Sequence, residues 1–216
     1  MHLIDEILPA SMWIGGHLGA AVVGTAAVAR LTPDRIPRVA VVTSAFVVVS
    51  YVHIPLPIAG TSVHLVLNGL VGILLGIDAI PAIAVALFLH ALGGHGGLQP
   101  LGVTALAMGS GALVARLVFT SLAAGRSHAQ VTAAGFLAGF LALYWSAAVL
   151  FLALWIARES VRDAARIWLV AHAGLAVLEG CVTAVAVSFL YRVRPAVFDN
   201  GVDGAQPPSP GLVTGT

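Results

Sequence analysis

The chain has 216 residues, of which 59% are hydrophobic and only 9% charged, with a formal net charge of +1 and a mean hydropathy of +1.01. Soluble domains carry about 25% charged residues, so this composition excludes an ordinary soluble domain and describes an integral membrane protein. The near-neutral balance, with no basic tract, argues for no nucleic-acid partner, and the single cysteine, Cys181 in an apolar run, rules out an intrachain disulfide and a Cys-x-x-Cys metal or redox motif.

Taken from its start, the chain opens Met1-His2. The Met1 amine, the His2 amide and a His2 ring nitrogen can wrap one ion in fused chelate rings. A fourth nitrogen completes a square plane, a geometry that favours Ni(II) or Cu(II) over Zn(II). His64, in Thr61-Ser62-Val63-His64-Leu65, is the candidate for that position. Asp5 and Glu6 stand where a signal peptide has its basic region, and no cleavage site follows a short apolar core. Met1 and His2 are therefore expected to remain in the mature protein, because methionine removal favours a small second residue.

Seven helices are predicted, over Ser11–Arg30, Ile36–His53, Val63–Gly76, Ala79–Leu92, Leu101–Leu122, Thr132–Ile156 and Ala165–Tyr191. A bilayer core needs about 20 helical residues, so the third and fourth are too short to span. They read as half-length helices with irregular flanks inside the protein, where such backbone is tolerated only beside protein or a water-filled cavity. The flanks, His53–Gly60 and Gly93–Pro100, are rich in Pro and Gly and carry no formal charge. They are either site-building loops or plain interfacial turns. The fold class is thus an all-α integral membrane protein with about seven transmembrane helices, two of them short. Residues 1–195 form the membrane-embedded domain, and 196–216 a flexible Pro/Gly-rich tail.

Orientation follows the arginines. Arg30, Arg35, Arg38, Arg126, Arg192 and Arg194 fall on one side, and Arg158, Arg162 and Arg166, diluted by Glu159 and Asp163, on the other. The expectation is a bacterial cytoplasmic-membrane protein with its amino terminus outside and its carboxyl terminus inside.

The remaining polar residues are weighed against plain packing. Asn68 follows His64 by one helical turn on the same face, where it is either a supporting hydrogen-bond partner of the ring or a packing or helix–helix hydrogen-bonding residue. His53 and His95, on the two flanking loops, are further candidates for that supporting shell. His128 reads as structural or solvent-facing. Glu179, ionisable and mid-helix, is a functional candidate by default, able to pair with Arg116 or lock a neighbouring helix. A rival reading takes His17, His53, His90 and His172 as haem ligands of a membrane electron-transfer protein. An intramembrane metalloprotease lacks its His-Glu-x-x-His.

Four stretches carry a resemblance: Met1-His2-Leu3-Ile4; Ser62-Val63-His64-Leu65 with Asn68-Gly69; Gly96-Gly97-Leu98 with Leu101-Gly102; and Glu179-Gly180 with Thr183, followed by Arg192-Val193-Arg194-Pro195. In order over about residues 1–195, they resemble the substrate-capturing M component (CbiM/NikM family) of cobalt and nickel energy-coupling-factor transporters. The resemblance implies a subunit that binds Ni(II) or Co(II) as substrate, uses no catalytic cofactor and hydrolyses no ATP. It implies Met1, His2 and His64 as the metal ligands. The implied partners are a transmembrane coupling (T) subunit, two ATPase subunits and, in some members, a small accessory membrane subunit. The chain departs from the family's pattern at Glu6, where glycine is usual, at Thr104, where asparagine is common, and at Thr61, where serine is common.

Overall fold

The computed structural model describes residues 5–51, 53–55, 62–94, 96–123, 127–157, 159 and 162–198. Met1, His2 and His95 lie outside them, as does the chain beyond 198, and only the backbone of His53 is described. The elements are α1 (Ala10–Val28), α2 (Ile36–Ser50), β1 (His53–Pro55), β2 (Ser62–His64), α3 (Asn68–Leu75), α4 (Ala79–Leu92), α5 (Leu101–Ala123), α6 (His128–Ala157) and α7 (Arg162–Val193). The fold is all-α and membrane-embedded, as expected. One short antiparallel ladder interrupts it, pairing His53 with His64, Ile54 with Val63 and Pro55 with Ser62.

Among the described residues, five stretches are long and apolar enough to cross a membrane, and Asn68–Leu92 is one of them. Its path, however, is a hairpin. Asn68 reaches Met108, Gly72 packs on Ala112 and Ile73 meets Arg116, so α3 runs alongside α5 in the same direction. Ile80 then lies against Gly109, so α4 runs back. The reversal sits at Gly76, with φ +59° and ψ −125°, a region open essentially to glycine alone. With 8 residues, α3 is about 12 Å long. It is a half-length helix, as its short apolar run predicts.

The predicted boundaries differ at the ladder. The second helix stops at Ser50 rather than His53, and the third starts at Asn68 rather than Val63. A short apolar run cannot be assigned to helix or strand from periodicity, and this one is extended up to His64 before Leu67 turns it at φ +51°.

The helices close on one another through glycines. A Cβ at Gly72 would strike the Ala112 carbonyl, one at Gly69 would lie 2.7 Å from the Gly139 Cα, and one at Gly139 would lie 2.9 Å from the Glu179 carbonyl. These contacts bring α3, α5, α6 and α7 together at one level, the level of Asn68 and Glu179. Close approach of this kind is how membrane helices associate without a hydrophobic driving force between them.

Candidate metal centre

His64 closes β2, and three residues separate it from α3. Its ring is half-buried, and its Nδ1, when protonated, donates to the Leu65 carbonyl at 3.3 Å. That tautomer places the ring's lone pair on Nε2, the arrangement a metal-binding histidine adopts when its other nitrogen donates.

The joint between His64 and α3 is held from another helix. Glu179 on α7 is 1% exposed. One carboxylate oxygen accepts the Val66 N–H and the other the Leu67 N–H at 2.8 Å. Leu67 stands at the cap position of α3 and supplies no side-chain cap. A helix amino terminus leaves backbone donors unsatisfied and favours a nearby anion, so one carboxylate answers both needs. Each buried amide left without a partner costs about 1–3 kcal/mol, enough to decide whether an isolated two-turn helix forms at all. Of the two roles open to Glu179, the pairing with Arg116 does not form and the lock onto a neighbouring helix does. Arg116 donates to the Ile73 carbonyl at 2.9 Å, at the other end of α3.

That other end is capped by cations. Arg38 donates to the Leu74 carbonyl and to the Val197 carbonyl at 2.7 Å, and Arg35 pairs with the buried Asp78 at 2.8 Å. An anion at its amino end and arginines at its carboxyl end match the helix dipole, and the two together hold α3 in place.

Asn68 takes the helix–helix hydrogen-bonding role rather than that of a partner on the His64 face. Because His64 is extended and Asn68 opens the helix, the two do not share a helical face. The Asn68 amide donates to the Ser146 hydroxyl at 2.9 Å and lies within 3.4 Å of the Met108 and Ala142 carbonyls. It fastens α3 to α5 and α6. Ser146, the one serine in the run Leu141–Leu150, is the sequence signal for this lock.

The amino-terminal segment is tied to the other flanking loop. Asp5 accepts the Gln99 N–H at 2.9 Å, and Gln99 in turn accepts the Glu6 N–H at 2.8 Å. Gly97 permits this closeness, since a Cβ there would lie 2.6 Å from the Asp5 nitrogen. Glu6 has φ +67°, so it keeps the left-handed turn that glycine would adopt freely. Of the other two departures, Thr104 is buried in α5 and Thr61 lies outside the described residues.

The histidines of the rival reading are spread through the bundle. His17 and His172 bond the carbonyls one turn back, Trp13 at 2.8 Å and Trp168 at 2.7 Å. His90 is buried against Ser50, whose hydroxyl lies 2.8 Å from its Nε2. His128 joins α6 to α7 through Ser188 and Arg192. Among the described residues, no three His, Cys, Asp or Glu side chains cluster as a metal site would require.

Several known proteins are similar to this chain. A Haemophilus influenzae protein named as a metal transport protein is 34% identical over 56% of this chain, and the match spans 58% of that protein's length. The cobalt transport protein CbiM of Sorangium cellulosum is 30% identical over 92% of this chain and 95% of its own. A Methanocorpusculum labreanum protein named as a fused cobalt transport protein, CbiMQ, is 27% identical over 92% of this chain, which covers 36% of that protein. In fold, the chain matches the crystal structure of a transition metal transporter with a TM-score of 0.72 at 19% identity, covering 89% of this chain and 93% of that one. The family described as the cobalt uptake substrate-specific transmembrane region, CbiM, matches residues 2–197, and the chain belongs to that family.

Proposed function

We propose that this chain is the metal-capturing subunit of an ATP-driven energy-coupling-factor importer for nickel or cobalt. It binds the ion through the Met1 amine, the His2 amide and ring nitrogens, and a His64 ring nitrogen. What supports the reading is the presentation of His64. It ends an extended strand beside a joint fastened from α7, while the amino-terminal segment is clamped at Asp5 to the loop before α5. The two halves of the ligand set thus come from segments that this chain ties down separately.

In this reading a hydrated ion exchanges water for four nitrogens, and the deprotonated amide offsets part of the ion's charge in a low-dielectric setting. Energy comes from two ATPase subunits acting through a transmembrane coupling subunit, and this chain catalyses no reaction itself. A relative that carries CbiM and a further component in one polypeptide supports a membrane partner. The arginine end, with Arg35, Arg38 and Arg116 around Asp78, faces the cytoplasm by the positive-inside rule, and the capture site faces outward in the cytoplasmic membrane.

The test is a titration of the purified full chain with Ni(II) and with Co(II). Three forms are compared: the native amino terminus, two residues added before Met1, and His64→Ala. Tight binding to the first and at least 100-fold weaker binding to the other two is the expected result. Unchanged affinity on extension removes the amino-terminal chelate from the account.

A further inference from the structure

We propose that Glu179 is a positioning residue for the capture site. From α7 it fixes the Val66–Leu67 joint and with it the place at which His64 presents its ring. The inference rests on the reading of His64 as a metal ligand.

Three features of the molecule carry it. Both oxygens of one buried carboxylate are used on two successive backbone N–H groups more than 100 residues away in sequence. Those amides belong to the only three residues between the end of β2 and the start of α3. The last of the three is in the left-handed conformation at φ +51° and has no side-chain cap of its own. The joint therefore takes its geometry from Glu179 rather than from local sequence. The level of α7 that carries Glu179 is itself fixed by close packing, since Gly139 leaves room for the Glu179 carbonyl and Gly180 for Phe136. Val66 stands two residues from His64, so a change in where the carboxylate sits moves the strand end that bears the ring. Glutamine does not replace it, because its side chain has one acceptor oxygen and sets an N–H donor against the second amide.

The experiment uses the full chain with its native amino terminus in lipid nanodiscs and Ni(II) alone as the probe. Wild type, Glu179→Gln, Glu179→Asp, Asp78→Asn and His64→Ala are compared by affinity, visible absorption of the bound ion and melting temperature. Glu179→Gln is expected to bind about 10- to 100-fold more weakly, the range for residues that orient a ligand, and to change the nickel spectrum. Glu179→Asp, which keeps both acceptors on a shorter arm, is expected to recover part of the affinity. Asp78→Asn, at the far end of α3, is expected to lower the melting temperature and leave the spectrum alone. If Glu179→Gln melts earlier but binds nickel with wild-type affinity and spectrum, Glu179 serves the fold only and the proposal is overturned. If His64→Ala binds as wild type does, the ligand reading itself falls and takes the proposal with it. Should Glu179→Gln not fold, Glu179→Asp decides, since wild-type affinity and spectrum there overturn the proposal equally.

Discussion

Single residues set the local geometry, and Glu6 is the plainest example. It holds a left-handed turn that costs a side-chain-bearing residue roughly 1–2 kcal/mol, partly offset by the freedom glycine loses on folding. Glu6→Gly is expected to stabilise the protein by about 1 kcal/mol, because the backbone bond from residue 6 to Gln99 remains. Thermal unfolding checks this, and a lower melting temperature would count against a strained turn. Asp5→Ala removes the acceptor for the Gln99 N–H and is expected to weaken nickel binding several-fold with little effect on the melting of the bundle. At this scale His64 stands out in the sequence through the resemblance of Ser62-Val63-His64-Leu65 with Asn68-Gly69 to the family's pattern. Between the two roles open to Asn68 the sequence could not decide, because its spacing from His64 means a shared face only if both residues are helical, and an extended ladder leaves no mark in an apolar run. Glu179 was legible as an anomaly, but its partners were not, since backbone amides leave no mark on a sequence.

Among the elements, α3 carries the most consequence. At two turns it is too short to stand alone, and it is held by an anion at one end, arginines at the other and glycine contacts along its side. Gly72→Ala would push a methyl into the Ala112 carbonyl, and overpacking of that kind costs about 1–3 kcal/mol. Gly24 in α1 has nothing within 4 Å of an added Cβ, so Gly24→Ala is expected to be neutral or to stabilise by up to about 1 kcal/mol. Melting curves of the pair separate a packing requirement from a general intolerance of side chains. Comparable losses in both would contradict the assignment of Gly72 as a contact point. The shortness of α3 and α4 could be read directly from the sequence by counting apolar residues against the bilayer. Their hairpin path could not, because the reversal depends on the backbone at Gly76 and on contacts with α5. The arginine caps were equally hidden: Arg116 looked like a partner for the one buried acid in α7, whereas carbonyls at a helix end claimed it.

For the whole molecule, a clamped amino-terminal segment and a fastened His64 sit on a bundle whose family is that of cobalt uptake transmembrane components. If the site uses an amine, an amide and imidazoles, all must be deprotonated to bind, so affinity falls as pH falls. Near neutral pH the amide gives up one proton and the amine most of another. Nickel binding in weakly buffered solution is therefore expected to release more than one proton per ion, and release of none would argue against an amide ligand. On the proposed reading, accumulation of metal in cells needs the proposed coupling and ATPase subunits, whereas binding to the isolated chain does not. The most direct test of the central claim is the electronic state of bound nickel in the native full-length chain, read together by visible absorption and magnetic susceptibility. Four nitrogens in a plane give a yellow, diamagnetic centre, and that is the expected result. A pale green, paramagnetic centre would mean an octahedral site with water or oxygen ligands, and would contradict the nitrogen plane built from Met1, His2 and His64.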